Sequence, residues 1–212
     1  MHIINRICTI IGMRLHTIPK DFGEENRRIL LDKLESEVER AIADGQIIFQ
    51  CGVSMGADLW MAGAILALKG RFPQIRLHCY QPCETQANYW PERWREPYFE
   101  ILARADEVFC LQQRYAKDAV LRRNREMVAR SARLIVLYDQ KIDGGMRYAI
   151  DYAEERDLEI RTIRTPGTEA KLVLPGANGQ ILDLENYMSA QISSVNPEGS
   201  AMGRSAIKRA SL

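Results

Sequence analysis

Residues 46–69 combine residue types that suit anion binding. An apolar strand at 47–49 leads through a turn that contains Gly52 and Gly56 into an apolar helix. Glycines let a backbone turn tightly against a phosphate, and a helix start adds unsatisfied N–H groups and a favourable dipole. The spacing matches neither the three-glycine dinucleotide motif nor a P-loop. The pattern predicts an anion-binding turn, with a purely structural strand-to-helix turn as the alternative.

Apolar strand-like runs alternate with helical patterns through the first 163 residues. Strands are predicted at 6–11, 47–49, 75–80, 106–111, 133–138 and 158–163. Helices are predicted at 24–43, 57–69, 118–131 and 144–156, and a loop followed by a helix at 85–104. Six strands alternating with five helices predict an α/β, doubly wound, mainly parallel sheet with helices on both faces, which is a Rossmann-like domain at 1–164.

The segment 165–212 has a different composition, dominated by Pro, Gly, Ser, Asn and Ala. Its apolar runs at 172–176 and 181–188 are compatible with a hairpin or a short helix. We expect a low-complexity, flexible C-terminal tail.

The charge balance, the length of the apolar runs and the cysteine count indicate the class of protein and its compartment. The 212 residues carry 29 basic and 28 acidic side chains, so no whole-protein field favours DNA or membranes. No apolar run is long enough to span a bilayer, and the N-terminus lacks a signal-peptide pattern. Five cysteines is an odd number, and four of them lie in or just after apolar strands. We therefore expect a cytoplasmic protein with reduced thiols.

The candidate site consists of residues that follow the strands, because ligands of open parallel sheets bind beyond the strands' carboxyl ends. Arg14 is either a bidentate phosphate clamp or an ordinary surface arginine. Asp58 either caps its helix or orients ligand hydroxyls, and Glu84 either binds a ribose or is solvated. Tyr115 and Trp90 either stack on a base or belong to the core.

The predicted nucleotide- or phosphate-binding set contains glycine turns, one arginine and scattered polar groups. Its members are Gly12, Arg14, Gly52, Val53, Ser54, Gly56, Asp58, Pro82, Glu84, Asn124, Asp139, Gly144 and Gly145. Asn124 is included because it can turn inward from an arginine-rich helix. No catalytic residue is assigned. No metal ligand is assigned either, because His78 and Cys79 point to opposite faces of a strand.

These motifs resemble those of the SLOG superfamily, specifically its YpsA-like branch of bacterial and phage proteins. The resemblance covers residues 7–163. It is carried by Gly-x-Arg at 12–14, Cys-Gly-x-x-x-Gly-x-Asp-x-Trp at 51–60, Gln-Pro-Cys-Glu at 81–84, Arg-Asn-Arg-Glu-Met at 123–127, and Tyr-Asp at 138–139 with Gly-Gly at 144–145. The sequence departs from the branch at Met13, where His is typical, and at Cys51, where Ser or Thr is usual.

The resemblance implies a Rossmann-like domain that binds a nucleotide or a nucleotide derivative, with ADP-ribose-like molecules as the proposed class. A binding or sensing module is the favoured hypothesis. One alternative is a LOG-like phosphoribohydrolase, although the Thr and catalytic Glu of that group are missing after Asp143. The other is a single-stranded DNA binder like DprA, supported by the arginines at 122–133 and by Arg204, Lys208 and Arg209.

Two further expectations concern partners and variants. A homodimer formed through helices is compatible with this type of sheet. Replacing Arg14 by Ala, or Gly56 by Val, is expected to abolish nucleotide binding and to leave the fold near wild type.

Overall fold

Within the described residues, six parallel strands form the sheet. The computed structural model describes residues 6–138, 142 and 144–164, together with the backbone of 172–173 and 181–182. The strands are β1 (Ile7–Gly12), β2 (Ile48–Cys51), β3 (Arg76–Gln81), β4 (Glu107–Cys110), β5 (Arg133–Leu137) and β6 (Glu159–Ile163). The predicted Rossmann-like α/β sheet is confirmed.

The strand order is β4-β3-β2-β1-β5-β6. The chain first builds outward from β1 to β4 and then returns to the other side of β1, so the order reverses between β1 and β5. β1 and β5 are buried along their whole lengths, as expected of central strands covered on both faces. Thr9 of β1 and Ser131, just before β5, join their hydroxyl groups at 2.6 Å across 122 residues of sequence.

Five helices flank the sheet: α1 (Glu24–Ala43), α2 (Ala57–Leu68), α3 (Glu92–Arg104), α4 (Ala119–Ala129) and α5 (Gly144–Glu154). α2 packs between α1 and α3, whereas α4 packs against α5. Right-handed crossovers place the first three helices on one face and the last two on the other. The bounds of α1 are those predicted from its spacing, and α3 begins seven residues later than the predicted loop and helix at 85–104.

Glycine and proline positions explain where several elements end. Gly45 has φ +93° just after α1, so it can adopt the left-handed conformation that terminates a helix. Pro91 immediately precedes α3, and residues 85–90 form the loop part of the predicted loop and helix at 85–104.

A second unit, Glu169–Leu212, contains two short strands, β7 (Leu172–Val173) and β8 (Ile181–Leu182), which pair antiparallel. The rest of the predicted tail lies outside the described residues. Among the helices that the structure describes, none is long and apolar enough to cross a membrane. All five cysteines are free thiols, and Cys110 is the exposed one.

Candidate functional site

A cavity of about 480 Å³ opens at the carboxyl ends of β1, β2 and β3. It is lined by residues from the loops after all three strands, from the loop between β4 and α4, and from α4 itself: Arg14, Leu15, His16, Ser54, Met55, Pro82, Cys83, Gln86, Trp90, Tyr115, Val120 and Arg123. We call it the edge cavity. Its position is the one expected for ligand sites of open parallel sheets.

A second, more open cavity of about 490 Å³ adjoins it near the start of α5. Its lining includes Gly144 and Gly145, together with Lys117. Arg14, His16 and Val120 line both cavities, so they form the wall between them. The side chains of Arg14, His16 and Lys117 therefore line the same cavity as the first turn of α5.

Asp58 ties the first two loops of the site together. Its Oδ1 accepts a hydrogen bond from the N–H of Gly12 at 2.8 Å, and its Oδ2 accepts one from the N–H of Ser54 at 3.0 Å. The carboxylate is 3% exposed. Asp58 is therefore a positioning residue, and this role differs from both roles predicted for it.

Backbone bonds join the same two loops. The N–H of Ala57 donates to Met13 O at 3.0 Å, and the N–H of Leu15 donates to Met55 O at 3.1 Å. Since Ser54 and Ala57 donate within the protein, part of the N–H set expected to cradle an anion is already used. The β1 and β2 loops thus form one connected body beside the cavity.

Gly56 is required by this close approach. It has φ +126°, and a Cβ there would lie 2.6 Å from Met13 O and 2.7 Å from Leu15 N. The sequence-based expectation that Gly56→Val leaves the fold near wild type is wrong, because the side chain would meet backbone atoms of the neighbouring loop. Gly52 is also closely packed, since a Cβ there would lie 2.5 Å from Arg123 Cζ.

Val53 holds an uncommon backbone conformation in this loop. Its φ is 42°, a region that β-branched residues rarely adopt. The carbonyl of Val53 accepts a hydrogen bond at 2.9 Å from Gln86 Nε2. Because Gln86 also lines the edge cavity, its side chain connects the loop backbone with the cavity wall.

Arg123 is the largest fully buried side chain of the described residues, although it belongs to a helix with exposed arginines. Its Nη1 donates to Gly52 O at 2.7 Å and to Ser54 Oγ at 2.9 Å. Its Nη2 donates to Asn124 Oδ1 at 2.8 Å. Asn124 Nδ2 in turn donates to Gly145 O at 2.9 Å, so one network spans the β2 loop, α4 and the start of α5.

The structure divides the predicted site residues into groups. Arg14, Ser54 and Pro82 line the edge cavity, and Gly144 and Gly145 line the adjoining one. Buried behind the cavities are Gly12, Gly52, Val53, Gly56, Asp58 and Asn124. Glu84 is exposed outside both linings, and Asp139 lies outside the described residues.

Trp90 and Tyr115 both line the edge cavity. Trp90 is half-buried with its ring 5.1 Å from Tyr98, whereas Tyr115 is 64% exposed. Tyr115 is therefore not a core residue, and its ring remains available to stack on a base.

Burial raises the pKa of the nearby Cys51 thiol well above its usual value, so this thiol stays protonated.

Among the lining residues that the sequence-based prediction did not include, Arg123 and Gln86 hold the loop after β2 through hydrogen bonds. Arg123 belongs to an arginine-rich helix, yet it stands four residues from both Ala119 and Met127, which are buried. That spacing was the available signal, because it places the arginine on the apolar stripe. Gln86 follows no strand directly and carries no motif, so nothing in the local sequence marks it.

Asp58→Asn should lower the free energy of unfolding by about 1–3 kcal/mol. An amide offers one acceptor oxygen, so either the Gly12 or the Ser54 N–H would face an NH₂ group in a buried position. Urea unfolding followed by circular dichroism measures this effect. Asp118→Asn, at the exposed start of α4, is the matched control and should change stability by no more than about 0.5 kcal/mol. Equal effects of the two substitutions would contradict the bridging role of Asp58.

One protein-family model matches most of this chain. The model of the YspA SLOG family matches residues 11–165. A UPF0398 protein of Halalkalibacterium halodurans is 31% identical over 155 residues, which cover 71% of this chain and 82% of that protein. A UPF0398 protein of Bacillus licheniformis is 31% identical over 145 residues, which cover 66% of this chain and 74% of that protein.

Among solved structures, DNA processing protein A of Helicobacter pylori, described for its mode of binding single-stranded DNA, has a similar fold. The TM-score is 0.54 at 16% sequence identity, and the match covers 89% of this chain and 74% of that one. At this identity the likeness shows a shared fold.

Proposed function

Because this chain belongs to the YspA SLOG family, we propose that this SLOG-type binding module takes a nucleotide or a nucleotide derivative of the ADP-ribose class in its edge cavity. The observation that carries the proposal is the composition of that one cavity. Arg14, Arg123 and Ser54 lie around it together with the aromatic side chains of Trp90 and Tyr115. Its volume of about 480 Å³ suits a small organic ligand.

The phosphate end of such a ligand is assigned to the wall between the two cavities. Arg14 is half-buried there and lines both spaces, so its guanidinium can bind phosphate oxygens in a bidentate manner. Gly144 and Gly145 begin α5 in the adjoining cavity, where a helix start favours negative charge. These features support the phosphate assignment together.

The base end is assigned to Trp90 and Tyr115. Aromatic rings stack on nucleobases with an energy of about 1–3 kcal/mol per base, and stacking tolerates any base because all have a π-face. Tyr115 is exposed and so is available for such a contact. The polar group beside them is Gln86, which is anchored to Val53 O.

Binding rather than hydrolysis is the function that the side chains support best. Both oxygens of Asp58 already accept backbone hydrogen bonds, and Glu84 is exposed outside the edge cavity. A general acid or base must reach the reacting group of its substrate. Neither Asp58 nor Glu84 meets that condition in this arrangement.

A second candidate is single-stranded nucleic acid. The observation in its favour is two exposed tyrosines. Tyr115 lines the edge cavity, and Tyr89 is 96% exposed and adjoins the lining residue Trp90 in sequence. Lys117 lies nearby in the adjoining cavity. Exposed aromatics interleaved with cations bind single strands by stacking and backbone attraction.

Thermal denaturation with ADP-ribose, NAD, AMP, cyclic dinucleotides and a short single-stranded oligonucleotide tests both candidates. A ligand that binds the folded state raises the melting temperature. Stabilisation by a nucleotide that is recovered intact supports the proposal, and recovery of a released base would make the protein a hydrolase. Stabilisation by the oligonucleotide alone, lost steeply with salt, would replace it by the second candidate.

Arg14→Ala should weaken nucleotide binding about 10- to 100-fold, because hydrogen bonds to charged groups contribute about 1.5–3 kcal/mol. Isothermal titration calorimetry with the nucleotide that stabilises the wild type measures the change. Arg93→Ala is the matched control, since Arg93 is exposed on α3 and lines neither cavity. Full affinity in Arg14→Ala would place the phosphate elsewhere.

A further inference from the structure

A third cavity, of about 580 Å³, lies among the three helices α1, α2 and α3 on one side of the sheet. We call it the helix groove. It is lined by α2 between Leu59 and Ala67, by Arg27 and Leu31 of α1, and by α3 between Arg93 and Arg104. None of its lining residues belongs to the edge cavity or to the adjoining one. The helix groove is therefore separate from the site of the proposed function.

The floor of the helix groove is an apolar stripe of α2. Trp60, Gly63, Ala64 and Ala67 follow one another at the three- and four-residue spacing that places side chains on one face of a helix. The outer face of a surface helix normally carries polar side chains. In α2 the single charged residue is Asp58, and its carboxylate is used by backbone N–H groups of the site loops. The outer stripe of α2 thus offers an apolar surface to an occupant.

Gly63 gives this floor its depth. Nothing stands within 4 Å of the Cβ that a larger residue would add there. The backbone of Gly63 does not have a positive φ, and glycine is an unfavourable residue in the interior of a helix. Neither a close neighbour nor the backbone conformation therefore requires glycine at this position. Its effect is an open recess between Trp60 and Ala67.

The large apolar side chains of the groove are recessed and held in place. Trp60 and Trp94 are half-buried, whereas Leu59 and Ile101 are buried. The ring of Trp60 stacks on Phe22 with centroids 5.9 Å apart and lies 6.4 Å from that of Trp94. An occupant must enter this recess rather than lie across it, and the volume is within the range of about 300–1,000 Å³ for small-molecule sites. The shape therefore favours a small ligand over a protein surface.

The rim of the groove carries positive charge, with three arginines and one glutamate. Arg27 pairs with Glu24 at 3.3 Å, and Arg104 pairs with Glu100 at 3.2 Å. Arg93 is exposed in the first turn of α3, and among the described residues it has no ion-pair partner. A guanidinium in this state is complementary to a carboxylate, which it can bind through two N–H groups. The combination of apolar recess and unpaired arginine selects an apolar ligand that ends in an anion.

We propose that the helix groove binds an amphipathic carboxylate of the fatty-acid class. The apolar chain lies along α2 over Gly63, and the carboxylate binds the guanidinium of Arg93. Between Arg93 and Arg104, α3 rises by about 16 Å, which accommodates a chain of medium length. The far end of the groove is neutralised by the pair of Arg104 with Glu100, so the carboxylate is placed at the Arg93 end.

Intrinsic fluorescence of the Trp90→Phe protein tests the proposal with decanoate as the probe. The chain has three tryptophans, and once Trp90 of the edge cavity is replaced, the remaining Trp60 and Trp94 both line the helix groove. Decanoate should change their emission in a saturable manner. Decyltrimethylammonium, which has the same chain length and the opposite charge, should bind at least 5-fold more weakly. No response to decanoate, or equal responses to the two amphiphiles, would overturn the proposal.

Two substitutions test the assigned contacts in the same assay. Arg93→Ala should weaken decanoate binding about 3- to 5-fold, which is the effect of losing one exposed ion pair. Arg95→Ala is the matched control, because Arg95 is exposed on the same helix and does not line the groove. Gly63→Leu should fill the recess and weaken binding at least 10-fold with an unchanged circular dichroism spectrum. Equal affinities of the two arginine variants, or full affinity in a folded Gly63→Leu protein, would contradict the assignment.

Sedimentation of the wild type and of Gly63→Leu distinguishes a protein occupant from a small ligand. The proposal expects the two proteins to have the same oligomeric state. A wild-type dimer that Gly63→Leu converts into a monomer, together with tryptophan emission that decanoate leaves unchanged, would make the groove an interface between two copies and the proposal wrong. Nucleotide binding enters none of these readouts, so the proposed function can fail or stand independently.

Discussion

Gly56→Ala should lower the free energy of unfolding by about 2–5 kcal/mol. An L-residue at its φ of +126° is strained by about 1–2 kcal/mol, and forcing extra atoms into a packed site adds about 1–3 kcal/mol. The atoms that the new Cβ would meet belong to the backbone of residues 13–15, so no side-chain rotation can relieve the clash. The loop after β1 would have to move away from the loop after β2.

Chemical unfolding of Gly56→Ala and Gly63→Ala, measured side by side, checks this expectation. Gly63 lies within α2, and nothing stands within 4 Å of the Cβ that Ala would add there. Ala in place of Gly inside a helix stabilises by about 0.5–1 kcal/mol. The two substitutions should therefore change stability in opposite directions. A Gly56→Ala protein as stable as the wild type would mean that the two loops are not held together as the structure shows.

Arg123→Leu should destabilise the protein by about 3–5 kcal/mol. The substitution keeps an apolar body in the core but leaves Gly52 O, Ser54 Oγ and Asn124 Oδ1 without the donors that now satisfy them. Each buried polar group left unsatisfied costs about 1–3 kcal/mol, and partial relaxation reduces the sum. Nucleotide binding should fall as well, because the same network holds the β2 loop beside the edge cavity.

The neighbouring arginine supplies the control for this experiment. Arg122 is exposed and pairs with Asp118 at 3.1 Å within the same helix. Arg122→Leu should change stability by less than about 1 kcal/mol, since exposed ion pairs contribute little. Differential scanning calorimetry of both variants gives the comparison. Similar melting temperatures for the two variants would contradict the structural role of Arg123.

The sequence allowed most of the fold to be predicted because its patterns are local. The helical spacing of Leu30, Leu34 and Val38 identified α1 with its observed bounds, and the uninterrupted apolar run of β5 identified a strand buried on both faces. Alternation of strands and helices then determined a parallel sheet. The sequence could not indicate that β4 would be an exposed edge, because that depends on strand order.

The site was predictable only as a region. The edge at the carboxyl ends of the strands followed from the sheet, and Arg14 and Ser54 line a cavity at that edge. The role of Asp58 was not predictable, because its acceptor bonds reach Gly12 across 46 residues of sequence. The sequence likewise does not show whether a glycine makes room for a ligand or for another part of the protein. Gly52, for example, makes room for the guanidinium of Arg123.

The central position of β1 also has a consequence for how the protein is made. β1 emerges from the ribosome first, yet one of its two neighbours is β5, and the Thr9–Ser131 contact spans 122 residues. At a synthesis rate of about 5–20 residues per second, β1 waits roughly 6–24 s for that neighbour. During this interval one side of a strand that is buried along its whole length in the folded protein is unpaired. The nascent chain is therefore most exposed to misassociation before β5 is translated, and translation pauses between α2 and β5 would prolong that interval.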